Sequence, residues 1–293
     1  MPDTAISFVE DFRAELGEGL LWSPREQALY WLDTVEKKII RTRPPFTTSE
    51  VRDLHYRPSS LALHADGGLL IAYKKGIGRY DFDTGTATSL PLSGVDFSVV
   101  SFNDGACDRA GNFWIGTRHR DASEPVGTLY KLGGDLGARP MVEGLILSNG
   151  MAWSPDANTF YHVDSRPGRI DAYDFDPETS MLSGRRIFVD YQHKGGSRPD
   201  GCTVDTEGYL WVAEIDGWRV ARYAPDGSLD REIMLPMQKP SNVAFGGKNF
   251  ETMFVTSISA PLSAEQRLAQ PGAGKLMLID AGVRGLAENI FRR

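Results

Sequence analysis

The sequence predicts an all-β six-bladed β-propeller with a central metal channel, running as one domain over 1–293. Three observations carry this. Short apolar strands recur at a nearly fixed interval, a turn precedes each of them, and a second apolar strand lies upstream of that turn. The recurring strands are "LYWLD" from Leu29, "LLIAY" from Leu69, "FWIGT" from Phe113, "FYHVD" from Phe160, "LWVAE" from Leu210 and "MFVTS" from Met253, with starts 40, 44, 47, 50 and 43 residues apart. They are rich in the β-branched and aromatic residues that suit a pleated, half-buried surface. Repeats of this length, each reading strand–turn–strand, are the signature of propeller blades. One blade cannot bury both faces of its sheet, whereas a ring of blades can. A pair of β-sandwiches would not require such regular spacing.

The turns are "SPREQ", "HADGG", "DRAGN", "SPDAN", "DTEGY" and "GGKNF". The upstream strands are "GLLWS", "LALHA", "GACDR", "GMAWS", "GCTVD" and "NVAFG", and they are expected to line the channel. Third and fourth strands follow, as in "GRIDAYDFD" and "RRIFVD". The N-terminal "ISFVEDF" is expected to pair near "KLMLIDA" and close the ring as the outer strand of the last blade. The only helical segment expected is a loop helix in "SAEQRLAQ" from Ser263. Trp22, Trp31, Trp114, Trp153 and Trp211 fall at strand positions and read as packing between blades.

Composition narrows the function. The 293 residues carry a formal charge of −7, which argues against nucleic acid as the main partner. The two cysteines, Cys107 and Cys202, are too few for a disulfide scaffold and read as small buried hydrophobes. The start "MPDTAISFVEDFRAELGEG" has neither a basic nor an apolar leader segment, and no apolar run is long enough to span a bilayer. The expectation is a cytoplasmic protein without a membrane partner, a monomer or small homo-oligomer.

The chemistry sits just ahead of the channel-lining strands. Read in order, those positions give Glu18 in "GEG", Ser59 and Ser60 in "PSS", Asn103 and Asp104 in "FND", Asn149 in "SNG", Asp200 in "PDG" and Asn242 in "PSN". A ring brings these oxygen donors together at one mouth. Carboxylates with an amide oxygen suit a hard divalent cation. Taken singly, Asp, Asn and Ser before a strand are ordinary turn residues. Glu18, with a Gly on each side, has no such explanation.

The motifs "LGEGLLWSPREQALYWLD", "FNDGACDRAGNFWIGT", "LSNGMAWSPDANTFYHVDS" and "RPDGCTVDTEGYLWVA" resemble, from about Leu16 to Thr256, the senescence-marker-protein/gluconolactonase/luciferin-regenerating-enzyme (regucalcin-like) family, which includes bacterial sugar lactonases. The resemblance implies one catalytic divalent cation (Ca, Zn, Mn, Mg or Fe) held by Glu18, Asn149 and Asp200, with Asn103 contacting substrate or metal-bound water. It implies hydrolysis of an aldonolactone to its sugar acid, in carbohydrate metabolism. A lactone is a cyclic ester, and a cation can polarise its carbonyl while a carboxylate takes a proton from water. Asp200 is therefore expected to be catalytic as well as a ligand. No GxSxG nucleophile elbow is present.

One departure bears on the substrate. Many sugar lactonases of this family carry an Arg where this chain has Ser101. "GTRHRD" places Arg118 and Arg120 nearby, with Asp121 beside them. Ser101, Asn103, Arg118 and Asp121 form the expected substrate-binding set. Arg118 would favour a lactone bearing an anionic group. His193, Lys194 and Arg198 in "YQHKGGSRPDG" would add cationic contacts from a lid. Ser165 and Arg166 are within expected reach of substrate, and His162 reads as a core histidine. Two rival functions remain at this stage: hydrolysis of another ester or an organophosphate at the same site, and a non-enzymatic cation-binding propeller.

Overall fold

The protein is described by a computed structural model covering residues 5–192 and 194–292. Twenty-five strands assemble into six sheets. Blade one consists of Gly17–Ser23, Ala28–Asp33, Lys38–Thr42 and Ser49–Asp53. Blade two consists of Pro58–His64, Leu69–Tyr73, Gly76–Asp81 and Thr86–Leu90. Blade three holds Val100–Cys107, Phe113–His119, Gly127–Leu132 and Ala138–Leu145. Blade four holds Ser148–Trp153, Thr159–Asp164, Arg169–Asp176 and Met181–Asp190, and blade five holds Arg198–Val204, Leu210–Ile215, Arg219–Tyr223 and Leu229–Met234. Blade six is built from Pro240–Gly246, Thr252–Ser257 and Leu276–Asp280, with Ile6–Val9 as its outer strand. All six strands expected from the repeat are the second strands of their blades. The first strands pack beside one another around a closed ring.

The ring closes as expected, with Ile6 opposite Ile279 and Val9 opposite Leu276 in an antiparallel pair. The helix Ala264–Ala269 lies where "SAEQRLAQ" predicted it. Ser263 caps it by accepting from the Gln266 backbone N–H, and the Gln266 side chain returns the bond, a reciprocal capping box. Hydrophobic cores fill the spaces between neighbouring blades. One contains Trp211, Val220, Phe245, Met253 and Met277, joining blades five and six. Trp22, Trp31, Trp114 and Trp211 are fully buried, and Trp153 nearly so.

Two turns show how a blade fixes its own register. In "DRAGNFW", the Asp108 carboxylate accepts from the Asn112 backbone N–H at 2.9 Å and from Trp114 Nε1 at 2.9 Å. In "DTEGYLW", Asp205 accepts from the Tyr209 backbone N–H at 3.1 Å and from Trp211 Nε1 at 2.8 Å. Both carboxylates are fully buried, so each ties a tight turn to the indole six residues on. Asp205 also holds Arg222, whose Nε lies 2.9 Å away.

The C-terminal segment was not foreseen. Ile290–Phe291 adds a parallel strand to blade two, pairing with Leu63 and His64 at the end of the channel strand far from the carboxylates. The segment leading to it bonds in passing to blades six, five and three. Gly285 N–H donates to Phe250 O, Thr206 N–H to Arg284 O, and Asn289 Nδ2 to Cys107 O. Phe291 is fully buried against the core of blades two and three and the His64 ring. This short segment has no partner strand nearby in sequence, so periodicity could not reveal it.

Candidate active site

Each channel-lining strand has a register irregularity close to its start. They fall between Glu18 and Leu21, Pro58 and Ser60, Phe102 and Gly105, Ser148 and Met151, Pro199 and Cys202, and Pro240 and Asn242. A bulge bends the strand and re-aims the side chains it contains. The expected ligands Glu18, Asn149 and Asp200, and their neighbours Asn103 and Asp104, lie at or inside these bulges. The glycines that follow have a packing role. A Cβ on Gly150 would lie 2.5 Å from Asp200 O, and one on Gly201 would lie 2.6 Å from the Asn242 side chain. In blades four and five the glycine of the channel strand thus packs against the polar residue of the next one, which accounts for the "SNG" and "PDG" motifs.

Glu18, Asn103, Asp104, Asn149 and Asp200 line one pocket of about 220 Å³. Asp200 and Asn149 are almost wholly buried, at 3% and 6% exposure. The carboxylates repel one another. Burial, then Asp200 and Asp104, push the Glu18 carboxyl well above its usual range. Burial, then Asp104, do the same to Asp200. Burial lifts Asp104 to about 6. A buried charge persists when it is paired or coordinates a metal. Three carboxylates facing one cavity thus fit a divalent cation, with Glu18, Asn149 and Asp200 as the residues to hold it. Among the described residues, no group of three or more His, Cys, Asp or Glu side chains forms a ligand set by itself. The donor set here depends on the Asn149 amide oxygen.

The supports behind these donors are specific. Asn103 Nδ2 donates to Asn149 Oδ1 at 2.6 Å, and Asn149 Nδ2 donates to Ser165 Oγ at 2.7 Å. Ser165 Oγ donates in turn to Pro199 O at 2.6 Å. Asn149 is therefore fixed with its oxygen toward the pocket. Asn242 Nδ2 donates to Glu18 Oε2 at 3.2 Å. Asp33 accepts from the backbone N–H groups of Glu15 and Leu16, and Asp164 from those of Ile146 and Leu147. Each Asp ends a second strand and grips the chain two residues ahead of an expected ligand, Glu18 or Asn149. Partners of this kind orient the donors of a metal site.

The substrate-binding expectations divide. Asn103, Arg118 and Asp121 line the pocket. Ser101 does not, but it pairs directly with Arg118 across the ladder. Residues so paired point to the same side of the sheet with their Cβ atoms about 5 Å apart. The guanidinium thus stands next to the place that Ser101 leaves small. Arg166 also lines the pocket, whereas Ser165 is spent on holding Asn149. His162 is fully buried with Nε2 2.7 Å from Ser148 Oγ, and burial pulls it down to about 3, so it is a neutral core residue.

The expected lid cations are engaged elsewhere. Lys194 Nζ donates to the Tyr223 hydroxyl at 2.8 Å and sits over the Tyr191 and Tyr223 rings, while Arg198 pairs with Asp216. His193 lies outside the described residues. Cys107 is buried, Cys202 is partly exposed, and neither is in a disulfide.

Two cations of the pocket escaped sequence reading, Arg57 and Lys74. Lys74 follows the second strand of blade two in an unremarked "YKKG" turn. Its Nζ donates to Phe102 O at 3.1 Å and lies 3.4 Å from Asn103 Oδ1. Burial, then the charges of Arg118 and Arg57, pull its ammonium down to about 7, against the opposing effect of Glu18 and Asp104. "LLIAY" is apolar throughout, and no spacing rule marks a lysine just past a strand end as pocket-facing.

Residues 16–259 match the family described as SMP-30/Gluconolactonase/LRE-like region. The chain belongs to this family. A 6-deoxy-6-sulfogluconolactonase of Pseudomonas putida is 33% identical over 94% of both chains, and the regucalcin of Homo sapiens is 33% identical over 98% of both. Among solved structures, a calcium-binding regucalcin from Agrobacterium tumefaciens superposes with a TM-score of 0.92 at 26% identity, covering 99% of this chain and 98% of that one. A gluconolactonase from Xanthomonas campestris, at 24% identity and a TM-score of 0.77 over 96% of this chain and 90% of that one, shares the SMP-30/gluconolactonase propeller fold.

Proposed function

We propose that the protein is a divalent-cation-dependent lactonase that opens a sugar lactone, one bearing an anionic substituent, to the sugar acid. The observation that carries this is the set of three mutually repelling carboxylates, buried Asp200 and half-buried Glu18 and Asp104, facing one small pocket beside the fixed Asn149 oxygen. The names of relatives support the reaction: one 33% identical chain is a 6-deoxy-6-sulfogluconolactonase. Regucalcin, named as calcium-binding in the Agrobacterium structure, supports the cation.

Glu18, Asn149 and Asp200 would hold a divalent cation, which would supply Lewis-acid polarisation of the lactone carbonyl. Asp200 accepts the proton of the attacking water on an oxygen that faces the pocket. Asn103, held by the backbone of Ser148 and by Asn149, offers its amide oxygen to a substrate hydroxyl. The ring C–O bond then breaks, and the leaving alkoxide takes the proton back from Asp200. Walls drawn from seven strands hold the lactone with respect to Asp200, so that the reaction becomes effectively unimolecular.

The test is acid release, followed with a pH indicator, from metal-stripped protein to which single divalent cations are returned. The panel holds five- and six-membered sugar lactones with and without a charged substituent. Turnover that requires a cation supports the reading. Equal rates with chelator present, or no turnover of any lactone by metal-bound protein, overturn it.

A further inference from the structure

The protein carries a net negative charge, yet one arc of the pocket is crowded with cations. Arg57 precedes the channel strand of blade two, Lys74 follows that blade's second strand, Arg118 lies on the second strand of blade three, and Arg166 follows the second strand of blade four. These blades are neighbours around the ring. The four groups are close enough to act on one another. Arg57 and Arg166 both disfavour the charge on Arg118, after burial, and Arg118 and Arg57 disfavour that on Lys74.

What sets them apart is that they share one pocket without ion-pair partners. The other strongly buried arginines are neutralised: Arg41 by Glu50 and Asp83, and Arg222 by Asp205, Glu207 and Asp230. Among the described residues, none of the four pocket cations has a carboxylate at ion-pair distance. Arg118 Nη1 is left to the backbone oxygens of His119 and Arg120, and the side chains of Arg57 and Arg166 make no hydrogen bond among the described residues. Asp121 supports the charge of Arg118, against burial and the two neighbouring arginines. A divalent cation would offset two of the charges of Glu18, Asp104 and Asp200 and leave the four cations in excess of the remaining carboxylate and Asp121. Like charges held together without counter-ions in a concave site destabilise it until an anion arrives.

Resting on the lactonase reading, we infer that Arg57, Lys74, Arg118 and Arg166 form one subsite for a sulfonate- or phosphate-type oxyanion carried by the lactone away from its reacting carbonyl. Four donors arriving from three blades match a tetrahedral group with three free oxygens. A planar carboxylate offers two and would be served by one guanidinium fork. The order of the pocket then becomes legible. Blades one, four and five supply Glu18, Asn149 and Asp200 for the cation, blades two to four supply the anion's partners, and Asn103 stands between, touching Lys74 on one side and Asn149 on the other.

Two measurements test this. The first is calorimetric titration of inorganic sulfate, with acetate as the planar control, into the metal-free full chain and into the Arg57→Ala, Arg166→Ala and Lys74→Met proteins at constant ionic strength. Sulfate is expected to bind the parent more tightly than acetate does, and each variant is expected to weaken sulfate by roughly tenfold, the effect of one lost charge-assisted hydrogen bond. The second is the ratio of kcat/KM for a 6-sulfonated or 6-phosphorylated aldonolactone to that for its uncharged parent, which each variant should lower by about tenfold. The better of the two charged substrates identifies the source of the oxyanion. Neutral lactones opened as fast as charged ones, with the ratio unchanged in all three variants, overturn the subsite and leave the lactonase standing. Sulfate bound by the parent and lost in the variants, with no lactone opened, keeps the subsite and overturns the lactonase.

Discussion

Replacing Asp200 by Asn should stabilise the metal-free protein while destroying its activity. Asp200 is 3% exposed, and its carboxylate is opposed by Asp104 and by Glu18. Arg198, which favours its charge, is itself paired with Asp216. Asn keeps the shape that packs against Gly150 and removes the charge. An uncompensated buried polar group costs on the order of 1–3 kcal/mol, and more if ionised. In a protein of this size that corresponds to roughly 2–6 °C in Tm.

The sign with pH follows from the direction of the shift. The folded carboxyl is held above its unfolded value, so its proton contributes stability at low pH. That contribution is lost as pH rises from the ordinary carboxylate range through the raised value. The gap between variant and parent in chelator should therefore be small at pH 5 and largest at pH 8. Saturating divalent cation should reverse the order, since a ligand at a hundred times its Kd adds about 2.7 kcal/mol to the form that binds it. Lactone turnover should fall by at least ~10²-fold, the typical worth of a general base. Thermal melts at the two pH values, with chelator and then with metal, decide the matter. A variant that melts below the parent in chelator at pH 8, or that opens lactones at the parent rate, refutes the reasoning.

Three further outcomes are expected. Because Glu18 and Asp200 are raised in the metal-free pocket, binding a divalent cation should release protons and tighten between pH 5 and pH 8; calorimetry in two buffers of different ionisation enthalpy measures both effects, and binding without proton release would contradict the donor assignment. Phe291→Ala should cost about 3–5 kcal/mol in urea denaturation, because its ring is fully buried between blades two and three; a loss below 1 kcal/mol would show that the C-terminal strand is dispensable. Asp205→Ala strips a carboxylate from both Trp211 Nε1 and the nearly buried Arg222 and should cost about 3–5 kcal/mol, again read in urea, with an unaltered midpoint counting against the blade-locking role of that turn.

The blades were legible in the sequence because each is local. A strand, its turn and the next strand lie within some twenty residues, and alternation with Gly-bearing turns marks all three. The same locality made the ring's mouth readable: "GEG", "SNG" and "PDG" each start a channel strand, so a propeller must gather them. The closing strand Ile6–Val9 was also within reach, since a six-fold repeat that lacks one outer strand demands it.

What only the tertiary structure decided are the pairings that cross blades. Lys74, Arg57 and Arg166 carry no motif, and they meet Arg118 only because blades two, three and four stand side by side. Lys194 and Arg198 looked like free cations in a Gly-rich loop, yet Tyr223 on the third strand of blade five and Asp216 in the turn after its second strand already hold them. The strand Ile290–Phe291 finds Leu63 and His64 across more than two hundred residues. The amino-acid order by itself determined which elements form and which polar residues rim the channel, because both depend on neighbours a few residues apart. Charge balance in the pocket depends on distance in space, and only the closed ring sets those distances.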